Sequence, residues 1–289
     1  MAAPELVTPE LLRDWPLPDP AGSKDSRGEV LVAGGAAGTP GGVALAGLAS
    51  LRVGAGRIRL ALASSVAPAL AVTFPEAGVI PLPEGQQGSI LGRSSAQLLG
   101  EPVASSDAVL VGPGLDDIEE TTDLLVGLLP HLESKGTLVL DAYALGALSQ
   151  SEALGAFVTD SATGIVLTPN SQELAFLTGR KNAKINDLPN VARRYSCCVA
   201  SQGTVASSDG RTWRVPQGHA GLATAGSGDV LAGLIVGLLA RGANAEQAAC
   251  WGTYLHSTSG ERLSSSIGGI GFLARELVDQ VPPVLAELT

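Results

Sequence analysis

Short aliphatic runs recur along this sequence, and each of them ends in glycine, proline or aspartate. Four of these runs lie at residues 30–33, 108–111, 138–140 and 165–167. Continuous aliphatic strands are typical of parallel sheets that are buried on both faces. Helix-length segments with apolar residues three and four positions apart separate the runs, so the order of elements is βαβα. The pattern predicts an α/β fold in which helices cover both faces of a mostly parallel sheet.

The domain organisation follows from where this pattern starts. Residues 1–27 are rich in proline and charge, which predicts an N-terminal extension that lies on the surface or leads into the domain. Residues 28–289 contain no linker, composition shift or internal repeat and are predicted to form a single three-layer domain. Ligands of such folds bind beyond the carboxyl ends of the strands, which is where the glycines and aspartates fall.

The charge balance limits the classes of ligand. The chain has 28 acidic against 18 basic side chains, for a formal net charge of −10, which disfavours nucleic acid and anionic lipid as partners. A phosphate ligand therefore has to be held locally, by backbone N–H groups, a metal ion or a few placed cations. The sequence shows no secretory signal and no apolar stretch of about 20 residues, so we expect a cytoplasmic protein without a membrane anchor.

The cysteines do not predict a metal site. The chain has an odd number of cysteines, and they lack the spacing of Cys or His metal ligands; they are Cys197, Cys198 and Cys250. We therefore expect reduced thiols and no protein-bound metal.

A glycine-rich loop is the most informative stretch for function. It runs over residues 221–229, and the segment 230–241 that follows has apolar residues at one helical face. The loop is therefore predicted to lead into the N-terminus of a helix that starts near Val230. Such an end offers unpaired N–H groups and the positive pole of the helix dipole to an anion. Asp229 is then either an ordinary first-turn acid or a base beside a phosphate site, and the density of glycine favours the base.

The loop also carries a family resemblance. The sequence GLATAGSGDVLAG at 221–233 resembles the signature of the ADP- or ATP-dependent NAD(P)H-hydrate dehydratases, which belong to the ribokinase-like superfamily. Matching segments follow in the same order over roughly residues 24–285. They are Lys24-Asp-Ser-Arg-Gly28, Pro40-Gly-Gly-Val-Ala-Leu-Ala46, Gly54-Ala-Gly56, Pro75-Glu76, Val111-Gly-Pro-Gly-Leu115, Leu140-Asp141-Ala142, Leu167-Thr-Pro169 with Glu173, and Ala248-Ala-Cys-Trp-Gly-Thr-Tyr-Leu-His256. The resemblance implies a ribokinase-like three-layer α/β/α sandwich.

The resemblance also implies a reaction. Water is lost from the C6-hydrated nicotinamide ring of damaged NADH or NADPH, through phosphoryl transfer to the C6 hydroxyl and elimination of phosphate. ADP or ATP is the implied phosphoryl donor, with Mg²⁺ on its phosphates, in a carbon–oxygen lyase that forms a homo-oligomer. Asp229 is the implied base, and the amides from Gly226 to Gly228 stabilise the transferred group.

Further site residues are implied by position. The nucleotide-binding set is Gly226, Ser227, Gly228, Thr204, Ser201, Gln202 and Gly203, and the substrate-binding set is Gly42, Gly114, Asn170, Glu173 and Asp229. The residues alone also allow purely structural roles. Gly42 and Gly114 can serve tight turns, Thr204 can be a strand residue, and Asn170 can cap a helix.

Several positions depart from the family pattern. Asn170-Ser171-Gln172-Glu173 replaces a His-Pro-Gly-Glu run, and Ala200-Ser201 replaces a Lys-Gly pair. Tyr143 replaces an aspartate, Asp116 a glycine and His219 an asparagine. The loss of a cation and the gain of an acid disfavour anions, so we expect an altered substrate or reduced activity. His219 is either a ligand or a loop residue, whereas His256 is expected to pack against a helix or lie on the surface.

Two other functions remain open at this point. One is a kinase of the same superfamily that phosphorylates a small alcohol, because the fold alone does not determine the product. The other is a nucleotide-binding protein without catalysis, which the changes at Asn170 and Ala200 would explain.

Overall fold

The computed structural model describes residues 3–19, 22–132, 137–160 and 164–289. Its centre is one sheet of ten strands. They are β1 (Glu5–Leu6), β2 (Glu29–Ala33), β3 (Arg57–Ala63), β4 (Gly78–Leu82), β5 (Ala108–Val111), β6 (Thr137–Leu140), β7 (Ile165–Leu167), β8 (Cys198–Ser201), β9 (Thr204–Ala206) and β10 (Thr212–Arg214). Their order across the sheet is β1-β10-β9-β8-β7-β6-β5-β2-β3-β4. Only the pairings of β9 with β8 and with β10 are antiparallel among the described strands.

Twelve α-helices are present in the described part of the chain. They are α1 (Pro9–Asp14), α2 (Gly41–Arg52), α3 (Ala67–Thr73), α4 (Gly92–Ser105), α5 (Ile118–Leu132), α6 (Tyr143–Gln150), α7 (Glu152–Asp160), α8 (Ser171–Thr178), α9 (Leu188–Arg194), α10 (Ser227–Ala240), α11 (Ala245–Ser266) and α12 (Ala274–Ala286). None of these described helices combines the length and the apolar character needed to cross a membrane.

Alternate residues of the central strands face two separate hydrophobic clusters. On β2, Val30 and Val32 join the cluster that includes α2, α10, α11 and α12. Leu31 and Ala33 join the other cluster, which includes α4, α5, α6, α8 and α9. The sheet is therefore covered by helices on both faces. The predicted three-layer α/β/α class is confirmed, and the four aliphatic runs form the adjacent parallel strands β2, β5, β6 and β7.

The proline-rich stretch before residue 28 contributes to the sheet and the core. Strand β1 pairs in parallel with β10 at one edge of the sheet. Val7 and Leu12 are fully buried, and the indole N–H of Trp251 donates to the carbonyl of Trp15 at 3.0 Å. Val7 and Leu12 therefore attach this stretch to the core, whereas its other described residues are exposed or partly exposed. Residues 1, 2, 20 and 21 lie outside the described residues.

Two parallel helices, α2 and α10, pack closely enough to bring their N-termini together. A β-carbon at Gly233 would lie 2.3 Å from the carbonyl oxygen of Ala46, so only glycine fits at this crossing. The hydroxyl of Ser50 donates to the carbonyl of Gly233 at 2.9 Å. Gly233 and Gly237 of α10 thus serve helix packing, and the two N-termini meet beyond the carboxyl ends of the strands.

Candidate active site

The glycine loop forms the first turn of α10. The helix begins at Ser227, three residues before the position predicted from the apolar stripe, and Gly226 is its N-cap with a left-handed φ of +88°. The apolar stripe marks the buried face of the helix. The first turn starts with Ser227, Gly228 and Asp229, which carry no apolar side chain and therefore do not extend the stripe. Among the described residues, the N–H groups of Gly228 and Asp229 have no acceptor. These two amides are available to an anion.

The carboxylate of Asp229 lies beside Gly42 at the start of α2. A β-carbon at Gly42 would lie 3.0 Å from Oδ1 of Asp229 and 3.1 Å from the amide nitrogen of Gly114. The absence of a side chain at Gly42 therefore leaves room at this carboxylate. Gly114 has a φ of +70°, and a β-carbon there would lie 2.2 Å from the carbonyl oxygen of Thr39, so its conformation requires glycine. The structure brings Gly42, Gly114 and Asp229 together.

Two more carboxylates lie near Asp229. Asp141 follows β6, is buried, and accepts a hydrogen bond from the hydroxyl of Thr168 at 2.8 Å. Burial raises the pKa of Asp141 to about 6, although the hydrogen bond from Thr168 lowers it. Burial and the charge of Asp141 raise the pKa of Asp229 to about 7. Burial, and then the charges of Asp141 and Asp229, raise the pKa of Glu173 to about 7. The cluster is therefore partly protonated at neutral pH.

A cavity of about 650 Å³ opens beside the first turn of α10. The predicted site residues that line it are Asn170, Ser201, Gln202, Gly203, Ser227 and Gly228. The other predicted site residues are not among the described lining residues; they are Thr204, Gly226, Gly42, Gly114, Glu173 and Asp229. Thr204 lies on β9, where it pairs with Ser201 and Arg214. No lysine or arginine lines this cavity in the described part of the chain. An anion in it has to be held by amides, hydroxyls and other dipoles.

Asn170 and Glu173 form a helix cap at the mouth of this cavity. Oδ1 of Asn170 accepts hydrogen bonds from the amides of Gln172 at 2.8 Å and Glu173 at 3.0 Å. The carboxylate of Glu173 accepts one from the amide of Asn170 at 2.8 Å. This reciprocal pair is a capping box at the start of α8. Oδ1 of Asn170 thus serves the cap, which is one of the two roles that the sequence left open. Asn170 also lines the cavity, so its predicted ligand contact stays a prediction.

The other departures from the family pattern are distributed over the site. Ala200 is buried and lines the cavity. The hydroxyl of Ser201 donates to the carbonyl of Pro169 at 2.6 Å. Tyr143 is 40% exposed and, with Phe176 and Glu173, lines a neighbouring cavity of about 330 Å³. The exposed aromatic ring is available to a ligand that reaches beyond the carboxylates.

The two histidines near the loop differ in their environments. His219 lines the cavity, and its Nδ1 accepts a hydrogen bond from the amide of Gly221 at 3.2 Å. His256 is only 8% exposed, and its Nε2 lies 2.9 Å from the hydroxyl oxygen of Ser227. Helix packing was expected for His256, but its contact with the glycine loop was missed. No spacing in the sequence could indicate it, because α10 and α11 meet only in the folded chain.

Side chains alone do not form a metal cage in this site. The residues that the structure describes contain no group of three or more His, Cys, Asp or Glu side chains arranged to hold an ion. Mg²⁺ commonly keeps several waters and binds through one or two carboxylates together with substrate phosphates. A nucleotide-borne ion near Asp229 is compatible with this donor set, whereas a protein cage is not.

Comparison with known proteins shows extensive similarity. A family model described as NAD(P)H-hydrate dehydratase matches residues 30–283. The chain is 41% identical to a Xanthomonas campestris pv. campestris protein named ADP-dependent (S)-NAD(P)H-hydrate dehydratase, with 98% of this chain and 96% of the relative covered. It is 35% identical to the Bifunctional NAD(P)H-hydrate repair enzyme Nnr of Moorella thermoacetica, covering 94% of this chain and 52% of the relative. The chain therefore spans about half the length of that bifunctional relative.

Solved structures show the same fold. The ADP/ATP-dependent NAD(P)H-hydrate dehydratase from Bacillus subtilis, co-crystallised with ATP/Mg²⁺, superposes with a TM-score of 0.81 at 24% identity, with 100% of both chains covered. Phosphofructokinase-2 from Escherichia coli in complex with potassium superposes less well, with a TM-score of 0.56 at 15% identity, covering 85% of this chain and 87% of that one.

Proposed function

The chain belongs to the NAD(P)H-hydrate dehydratase family, and from this premise we propose that it restores NADH or NADPH from their C6-hydrated forms at the expense of ADP. ADP is chosen because the relative at 41% identity is named for it. One observation carries the proposal. The partly buried carboxylate of Asp229 lies beside the recess at Gly42, and it directly follows Gly228, which has a free first-turn amide and lines the 650 Å³ cavity.

The chemistry follows from that placement. Hydroxide is a poor leaving group, so the C6 hydroxyl has to be activated. Asp229 takes the hydroxyl proton as the oxygen attacks the terminal phosphorus of ADP, and the phosphorus–oxygen bond to AMP breaks. The carbon–oxygen bond at C6 then breaks to release phosphate, and loss of a proton from C5 restores the ring double bond. A pKa of about 7 suits Asp229 to act as a base at neutral pH.

The amides of Gly228 and Asp229 supply the electrostatic part of catalysis. They point from a helix N-terminus at the place where charge develops on the transferred phosphoryl group. Mg²⁺ bound to the nucleotide would neutralise phosphate charge, and Asp229 and Asp141 are the carboxylates that we propose would face it. The roles of Ser227 and Gly228 in nucleotide binding, and of Gly42 and Gly114 in shaping the substrate recess, belong to the same proposal.

Three further proposals concern the protein as a whole. We propose that residues 28–289 form one folding domain, that the protein is a homo-oligomer, and that it acts in the cytoplasm. Light scattering coupled to size-exclusion chromatography tests the oligomeric state directly.

The function is tested by incubating the protein with hydrated NADH or NADPH and ADP or ATP. We expect the near-ultraviolet absorbance of the dihydronicotinamide ring to return, with one phosphate released per ring repaired. Asp229→Asn should bind ADP and fail to turn over. A stable phosphorylated product would instead indicate a kinase, and nucleotide binding without turnover in the wild type would indicate a non-catalytic protein. Either result would refute the proposal.

A further inference from the structure

The imidazole of His256 is buried against the first turn of α10. Its Nε2 lies 2.9 Å from the hydroxyl oxygen of Ser227 and 3.0 Å from the carbonyl oxygen of the same residue. His256 comes from the middle of α11, and both His256 and Ser227 line the 650 Å³ cavity. A single ring nitrogen therefore contacts both polar oxygens of the residue at which α10 begins.

This geometry determines the tautomer. A carbonyl oxygen can only accept a hydrogen bond, so the nitrogen 3.0 Å from it has to carry the hydrogen. Burial also lowers the pKa of His256 to about 4, which keeps the ring neutral near pH 7. Nε2 is thus the protonated nitrogen of a neutral imidazole. Its N–H is shared between the carbonyl and the hydroxyl oxygens of Ser227.

The tautomer in turn determines the direction of the Ser227 hydroxyl hydrogen. Because the hydroxyl oxygen accepts from Nε2, its own hydrogen cannot point back at the ring. No other acceptor for this hydroxyl is found among the described residues. Ser227 is 4% exposed and lines the cavity, so its hydrogen is directed into the space beside the free amides of Gly228 and Asp229.

We propose that His256 is a positioning residue that holds the Ser227 hydroxyl as a hydrogen-bond donor to a nucleotide phosphate. This inference rests on the proposed function, because it takes the phosphate to lie at the first turn of α10. The role is needed in this chain because no lysine or arginine lines the cavity in its described part. Each oriented neutral donor then carries a larger share of the phosphate binding.

The test measures ADP affinity by calorimetry in three single variants. Ser227→Ala removes the donor and should weaken ADP binding about tenfold, since hydrogen bonds to charged groups are among the stronger ones. His256→Met keeps the side-chain volume but lets the hydroxyl turn toward the helix, which should cost about fivefold. His256→Gln keeps an N–H group close to the position of Nε2 and should stay within about twofold of the wild type.

The double variant separates positioning from general damage to the fold. If His256 acts through the Ser227 hydroxyl, then adding His256→Met to Ser227→Ala should weaken ADP binding no further. Two independent, additive losses would overturn the proposal. So would a His256→Gln variant that binds ADP as weakly as His256→Met while it unfolds at the wild-type temperature.

Nitrogen NMR of the ligand-free wild type provides a readout that does not depend on activity or on variants. The long-range nitrogen–proton spectrum should show His256 as the Nε2–H tautomer across neutral pH. An Nδ1–H tautomer or a charged ring would overturn the inference. Failure of the proposed function is distinguishable, because it would appear as ADP binding without repair of hydrated NADH in the wild type, with the tautomer and the affinity series unaffected.

Discussion

Replacing Asp229 with asparagine should make the protein more stable, and the gain should grow with pH. The pKa of this carboxyl is raised from 3.8 to about 7, chiefly by burial. Well below pH 3.8 the group is protonated in both the folded and the unfolded chain, so an amide in its place changes little. As the pH rises toward 7 the unfolded chain gives up this proton first. The wild type then loses stability that Asp229→Asn retains.

The size of the effect follows from the same numbers. A change of one in pKa corresponds to about 1.4 kcal/mol, so ionising Asp229 in the folded protein costs at most about 4 kcal/mol. Solvent access to part of the side chain reduces this to about 2 kcal/mol. The neutral amide also removes a charge that raises the pKa of Glu173, which acts in the same direction.

Urea unfolding at about pH 4.5 and about pH 8 measures the difference between variant and wild type. We expect Asp229→Asn to gain about 1.5 kcal/mol more at the higher pH, while its repair activity falls at least about a hundredfold. The matched control is Asp14→Asn, which makes the same change of side chain at an exposed aspartate at the end of α1. A stability gain that is equal at both pH values, or a loss at pH 8, would refute the assignment of a buried base.

Four other predictions address the loop, β9 and the rate. Gly226→Ala should lower the free energy of unfolding by about 2 kcal/mol, because the residue is left-handed and its β-carbon would lie 2.5 Å from Leu45 Cδ1. In contrast, Gly228→Ala has open space around its β-carbon and should fold normally while ADP binding weakens about tenfold, which calorimetry can measure. Thr204→Val should leave the KM for ADP unchanged, since Thr204 lies outside the cavity lining. A several-fold rise in this KM would indicate that Thr204 contacts the nucleotide, as the family resemblance implies. The value of kcat/KM should rise with pH through about 7 as Asp229 ionises, and a flat profile would exclude it as the base.

The sequence predicted the central sheet well because burial on both faces leaves a direct mark on composition. Strands β2, β5, β6 and β7 are continuous aliphatic runs, and each ends where the site begins. The edge strand β1 has no continuous aliphatic run of this kind. Strand β1 is two residues long and lies in a proline-rich stretch, so its pairing with β10 is decided by tertiary contacts.

The candidate site was predictable where a local conformation explains the residue. Gly226 needs its left-handed φ, and the amides after it follow from the start of a helix. The start of α10 was misplaced because an apolar stripe reports the buried face and not the first turn. The contact of His256 with Ser227 joins two helices and leaves no local pattern. The sequence allowed Asn170 either to cap a helix or to contact a ligand; the geometry shows the cap, and the ligand contact stays a prediction.

The site has to bind a polyanion in a chain of net charge −10 and without a lining lysine or arginine in its described part. Burial resolves part of this conflict. The same desolvation that raises the pKa of Asp229 and Glu173 to about 7 keeps them partly protonated, so the local charge is less negative than the sequence suggests. On the proposal made above, the first-turn amides and the Ser227 hydroxyl supply the remaining attraction for phosphate, because dipoles act strongly where water is excluded. The alanine at 200 is therefore compatible with catalysis, provided that the first turn of α10 stays rigid.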